Sequence, residues 1–330
     1  MRKRQSVRNK HKKNKFANKR TIKKVYIGGS DSKTKPPSAK TIVFKKLNCS
    51  PIRQSKKDNE NADFSCYTSD ALHKLKKYWN VRHPDKIIDS NDSYVIWNHL
   101  KHYMKDICDT EACWLNQKFI DNNVKQELLK TSFVPFAKDK WNDNPTEWLD
   151  SLDIEKVLKQ YELKYPHFKF IGPSPIDFDT KKMYGECVWE ELCKFNLEQL
   201  IKNGKRKIGI VFNIDPHYKE GSHWVSMFID IDKQFVFYFD SNGQRIRTQF
   251  KKLVDRIIKQ ANKLSPPKKF LYHSNFPKSH QRRNTECGMY ALYMIIELLT
   301  EKKDVLYFKQ THINDDSMFD LRKKLFNFTT

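Results

Sequence analysis

Apolar residues are sparse through residue 57, recur at helical spacing from about 60 to 140, and then shift to short period-two runs. They culminate in Met289–Leu299, which is apolar on nearly every face. The helical spacing predicts three helices in the first half. One is capped by Thr68 or Ser69 and runs through Ala71, Leu72, Leu75 and Trp79. A second, capped by Asn91 or Ser93, carries Val95, Ile96, Leu100, Met104 and Ile107, and a third starts at Thr110 and reaches Ile120. A further helix opens at Asn144–Leu149 and continues through Leu152, Ile154, Val157 and Leu158. The alternating runs predict strands at 168–171, 207–213, 223–231 and 234–239, the last two joined at Asp232-Lys233 as a β-hairpin. Residues 251–263 read as an amphipathic helix, and a closing segment buries Leu321, Leu325 and Phe326. No internal repeat interrupts the series. Helices and strands in separate runs predict an α+β fold, with a central mixed sheet against a buried helix.

Composition divides the chain. Hydrophobic residues make up 38% and aromatics 13%, enough for a real core. The net charge of +24 is concentrated in residues 1–57, where 20 Lys/Arg face the single acid Asp31. Such a stretch cannot bury a core, so a disordered basic tail is expected there, a solvated or nuclear-localisation segment or an arm that binds nucleic acid. A helical arm region over 58–143 and a catalytic region over 144–330 would follow. The N-terminus lacks the apolar run of a secretory signal, and no apolar run reaches the ~20 residues of a membrane span. The seven cysteines form an odd set without a CxxC pair. A soluble protein with reduced thiols is the expectation. His99 and His102, or Cys108 and Cys113, match no zinc spacing, so no metal is expected.

Candidate chemistry gathers around Cys287. Asn284 and Thr285 are suitable N-caps, so the all-apolar helix should start just after them and carry Cys287 at its tip. Unpaired N–H groups and the positive end of the helix dipole favour a thiolate there. A cysteine nucleophile needs a base and a group that orients the base. The hairpin supplies both, because His223 opens its first strand and Asp240 ends its second, and a hairpin brings its outer ends together. The Cys287 N–H and the side-chain amide of Gln281 are the candidate donors to an oxyanion.

Gly221-Ser222-His223-Trp224, Tyr238-Phe239-Asp240-Ser241 and Gln281 with Cys287-Gly288 after five intervening residues resemble the signature of the Ulp1/SUMO-protease and adenovirus-protease superfamily. Trp148-Leu149 followed by Ile154 looks like the entry motif of the same domain. The resemblance covers about residues 144–330 and implies a cysteine peptidase fold. Its triad would be His223, Asp240 and Cys287, with Gln281 in the oxyanion hole and Trp224 walling a narrow channel that admits Gly-Gly. Asn242 is the alternative third member, since some viral enzymes of this kind use Asn two residues past the Asp position. The arm, the tail and the segment Ile313–Met318 with Arg322 look most like proteases of large DNA viruses, such as African swine fever virus and mimivirus-like giant viruses.

That resemblance implies cleavage after Gly-Gly in structural or core polyproteins during particle maturation, in the virion core and the host cytoplasm or viral factory. No cofactor is required for such chemistry, although DNA is an activator of related adenovirus enzymes and the basic tail could recruit it. Gly28-Gly29 followed by Ser30 is a candidate self-cleavage site between Gly29 and Ser30. Two other classes fit parts of the pattern. One is an isopeptidase acting on host SUMO or ubiquitin-like modifiers, which could work in the nucleus. The other is a nucleic-acid-binding virion protein on a protease fold.

Overall fold

The computed structural model describes residues 43–53 and 64–328, and the first 42 residues, with the Gly29–Ser30 bond, lie outside that span. Residues 43–53 depart from the expected tail. Cys49 bridges Phe133, and Phe44 and Leu47 pack on the apolar cluster of the arm. Their apolar side chains give this stretch something to bury, which the Lys/Arg-rich residues before it lack.

The arm begins with α1 (Ser69–Arg82), whose N-cap Thr68 accepts from the Ala71 N–H. Next is α2 (Ser93–Met104), capped by Asp92 and not by the predicted Asn91 or Ser93. Ile107, assigned to this helix by spacing, lies beyond its end and is exposed. The third helix is a single turn, α3 (Glu111–Trp114), and α4 (Asn122–Ser132) follows it. These helices share one apolar cluster centred on Tyr67, Leu75, Trp97, Leu100, Trp114 and Phe133.

After α5 (Lys140–Asp143) comes α6 (Ser151–Lys164), where Asp150 and Asp153 form a reciprocal capping box. The helix therefore starts after Asn144–Leu149, which stays non-helical and leaves Leu149 free to meet the active site. Then come β1 (Phe168–Ser174), α7 (Glu190–Cys193), α8 (Leu197–Lys202), β2 (Lys207–Asn213), β3 (Trp224–Asp230) and β4 (Phe235–Phe239). The chain ends with α9 (Thr248–Asn262), β5 (Leu271–Ser274), α10 (Cys287–Leu299), α11 (Val305–Gln310) and α12 (Asp315–Leu325).

The strands form one mixed sheet in the order β1-β2-β3-β4-β5. The outer pairs are parallel and the two inner pairs antiparallel. Both faces are covered, so the inner strands are apolar on both sides. Val211, Phe228 and Phe237 face a core shared with α6 and α10, while Ile210, Met227 and Val236 face α9. Gly209 in β2 lets α10 come close, because a Cβ there would lie 2.8 Å from the Ile295 Cγ2. The arm is tied to this layer by Gln160, whose Nε2 donates to the carbonyls of Lys130 (2.8 Å) and Phe133 (2.7 Å). Asn327 accepts from the Asn48 N–H at 2.7 Å.

The expectation of reduced thiols is corrected. Cys49–Cys66, Cys108–Cys113 and Cys187–Cys193 are disulfides, and Cys287 is the one free cysteine. Spacing without a familiar motif gave no hint of these pairs. Each is made by the fold, the first linking residues 17 apart in sequence.

Candidate active site

The hairpin places its two polar ends as the register requires. Ser226 pairs with Phe239 in the last rung before the open end, so His223 and Asp240 sit just outside the strands, on adjacent chains. His223 Nε2 lies 2.8 Å from Asp240 Oδ1. Cys287 is the second group whose interaction with the same imidazole favours its charged form. With Nε2 engaged by Asp240, Nδ1 is the nitrogen left for the thiol. Burial opposes a charge on His223, but the hydrogen bonds and charges of Asp240 and Cys287 outweigh it and push its pKa up to about 9. An imidazolium is thus favoured at neutral pH.

Asp240 is buried and held by its backbone. Its N–H donates to Asn275 Oδ1 (3.0 Å), and Asn275 Nδ2 donates back to its carbonyl (2.7 Å). Its Oδ1 also accepts the Asn242 N–H at 2.9 Å. Asn242 is exposed, and its main-chain N–H supports the Asp240 carboxylate. Asn275, fully buried after β5, had no signal in the sequence beyond a polar residue in a turn.

Cys287 is the first residue of α10, and the N-cap position belongs to Glu286, which makes no side-chain capping bond. The predicted caps Asn284 and Thr285 fall two residues and one residue too early, respectively. A conventional cap would consume the N–H groups of the first turn, and their freedom leaves them for a ligand. Glu286 turns away into the core and pairs with Arg322 Nη2 at 3.0 Å, both side chains being almost wholly buried. Arg322 Nη1 donates to the Glu147 carbonyl, and the guanidinium lies over the Trp141 ring. Burial raises the Glu286 pKa, against the pull of Arg322.

The loop before the cysteine is pinned as well. Asp315 accepts from the N–H groups of Arg282 (3.1 Å) and Arg283 (3.0 Å) and from the Tyr290 hydroxyl (3.0 Å). Gln281 is buried, its Oε1 accepting from the Ser241 hydroxyl at 2.7 Å and its Nε2 donating to the Arg283 carbonyl. An amide carries two N–H donors, so one remains for an oxyanion. The neighbouring His280 donates through Nε2 to the Phe308 carbonyl and accepts the Ile313 N–H at Nδ1. Burial drives its pKa down to about 4, which keeps this structural histidine neutral.

Leu149 closes the other side. Its side chain rests on Gly288, where a Cβ would lie 3.0 Å from the Leu149 Cβ, and its carbonyl accepts the Trp224 indole N–H at 2.8 Å. Trp148, one residue earlier, is 42% exposed. The helix tip is therefore bordered by a segment that fixes one indole and presents a second. A cleft of about 280 Å³ opens beside Trp224, between the segments around Trp189 and Asn213–Gly221.

Comparison with known proteins gives this geometry a context. Residues 204–329 match the Ulp1 protease family, C-terminal catalytic domain. A protein of Acanthamoeba polyphaga mimivirus named as a thiol protease is 29% identical over 271 residues, covering 76% of this chain and 84% of the relative. The SUMO-1 cysteine protease of African swine fever virus is 28% identical over 233 residues, covering 66% of this chain and 83% of the relative. The crystal structure of the African swine fever virus protease superposes with a TM-score of 0.60 at 21% identity, over 87% of this chain and 98% of that one. The arm and the catalytic layer together thus share a fold with that protease. Residues 204–329 resemble a catalytic domain of the Ulp1 protease family, and the chain is a cysteine-type peptidase.

Proposed function

We propose that this peptidase cleaves after Gly-Gly in viral structural or core polyproteins during particle maturation, with Cys287 as nucleophile. The carrying observation is that the one free cysteine stands at an uncapped helix tip and shares the His223 imidazole with the buried Asp240. His223 takes the Cys287 proton, and Asp240 stabilises the imidazolium that results. The sulfur attacks the scissile carbonyl, and the developing oxyanion takes the Cys287 N–H and the remaining Gln281 N–H. His223 then passes its proton to the departing amine, and the C–N bond breaks to leave a thioester. Water, deprotonated by the neutral His223, hydrolyses the thioester and releases the new carboxylate. Asp240 holds the His223 ring in place through both steps.

The Gly-Gly preference rests on the crowding by Trp224 and Leu149 at the tip, where a side chain on the residue entering the site would have to displace an indole. The work takes place in the virion core or the viral factory, with DNA recruited by the basic N-terminal residues as an activator. Isopeptidase action on SUMO-like modifiers is the second reading, favoured by the SUMO-1 cysteine protease name of the swine fever relative. Fluorogenic Gly-Gly-Xaa peptides, tested beside SUMO and ubiquitin probes with wild type and Cys287→Ala, separate the two. Peptide cleavage that is lost in Cys287→Ala, with both probes untouched, is expected. Cleavage of the probes alone would overturn the polyprotein reading.

A further inference from the structure

On the arm, remote in sequence from the catalytic residues, a groove of about 630 Å³ runs between one face of α1 and the segment leading into α4. Its charged lining is Lys74, Lys77, Arg82 and Lys118 against Asp121, four cations to one carboxylate, a net of +3. Lys74 is paired with Glu127, and the Asp121 carboxylate is occupied by the Asn123 N–H. Lys77, Arg82 and Lys118 are exposed and have no ion-pair or hydrogen-bond partner among the described residues. Three uncompensated cations in one concave place repel each other, and a groove with low-dielectric walls strengthens their joint field.

The same groove holds Tyr78 and the exposed Val81. Tyr78 differs from its neighbours on the arm. Trp79 stacks on Tyr103 and meets Phe119 edge-on, whereas the half-buried Tyr78 ring has no aromatic partner among the described residues. Lys74, Lys77, Tyr78, Val81 and Arg82 recur at three- and four-residue steps, so α1 presents them as one stripe. Cations that alternate with a ring packed on the arm's apolar cluster and bordering the groove suit a chain of phosphates that carries flat bases.

We propose that this groove binds single-stranded nucleic acid, with Lys77, Arg82 and Lys118 on phosphates and Tyr78 stacked beneath a base. Single strands are favoured over duplex because the ring can reach only an unpaired base face. The contact is independent of the peptidase chemistry and of the basic residues 1–42, which all variants below retain.

The test is fluorescence anisotropy of labelled dT20 and of a 20-base-pair duplex on the full chain across a KCl series. Lys77→Glu/Arg82→Glu/Lys118→Glu should reduce the salt slope of dT20 binding by roughly 2, from about 0.7 per lost phosphate contact. A control reversal of the exposed Lys252 and Lys259 on α9 and of Lys263 at its C-cap alters net charge equally and should leave the slope within error of wild type. Tyr78→Ala should weaken dT20 at least about fivefold and leave the duplex unchanged. Equal slope losses from the two triple variants would overturn the groove assignment. Equal effects of Tyr78→Ala on strand and duplex would overturn the single-strand assignment. Photocrosslinking of a bromouracil oligonucleotide to the unaltered chain gives a readout free of folding effects, and absence of label on the 74–82 peptide would refute the proposal.

Discussion

Replacing Asp240 with Asn separates charge from geometry at the proposed triad. The fold should survive, because Asn275 holds the backbone of residue 240 and not its carboxylate. Trading the carboxylate for an amide commonly lets the amide flip its N–H₂ towards the imidazole, which forces the wrong tautomer. Here the Asn242 N–H, 2.9 Å from Oδ1, demands an acceptor at that position, so the amide oxygen should stay facing His223. The loss is then the difference between a charge-assisted and a neutral hydrogen bond, about 1–1.5 kcal/mol. That corresponds to about one pKa unit and about a tenfold fall in kcat/KM. The assay is the pH profile of kcat/KM on a Gly-Gly-Xaa peptide. Wild type should lose activity on the alkaline side near the His223 pKa of about 9. Asp240→Asn should lose it near 8, about one unit lower. Asn242→Ala keeps the main-chain N–H and should match wild type. An unmoved alkaline limb in Asp240→Asn, or a larger loss in Asn242→Ala, would refute the assignment of Asp240.

Other outcomes follow from the supporting residues. Arg322→Met leaves the Glu286 carboxylate buried and unpaired, so chemical denaturation should show a loss of about 3–5 kcal/mol, with much of it recovered in Glu286→Gln/Arg322→Met. Gly288→Ala places a methyl 3.0 Å from the Leu149 Cβ and should cost about 1–3 kcal/mol with a shift in Trp224 fluorescence. A rise in Tm instead, as helix propensity alone dictates, would show that Leu149 yields freely. His280, held near 4, stabilises the fold fully above its unfolded pKa of about 6.5 and progressively less as pH falls from there to 4. His223, raised to about 9, acts in the opposite sense, being fully stabilising below about 6.5 and fading as pH rises to 9. Tm measured against pH should therefore decline on both sides of about 6.5, and His280→Gln should flatten the acid side alone.

How far the sequence reaches depends on the range of the contacts involved. Periodicity located the hairpin within one residue at each end, because strand alternation and the Asp232-Lys233 turn are local. It also placed Cys287 at the start of the apolar helix, and the order of His223, Asp240, Gln281 and Cys287 suggested the chemistry before any coordinates. Caps were less legible. Spacing favours Asn91 or Ser93 where Asp92 is the cap, and it opens at Asn144 the helix that Asp150 caps, since which polar residue caps a helix depends on where packing starts the first turn. At Cys287 the local preference for Asn284 or Thr285 lost outright, because Arg322, 36 residues from Glu286, draws the glutamate into the core. Tertiary structure likewise paired six of the seven cysteines, folded residues 43–53 onto the arm and brought Asn275 to Asp240. The sequence by itself determined which residue types could do the chemistry and on which elements they lie. Only the fold decided which of them touch, because distance across a packed core is fixed by the whole of the packing and by no single stretch of chain.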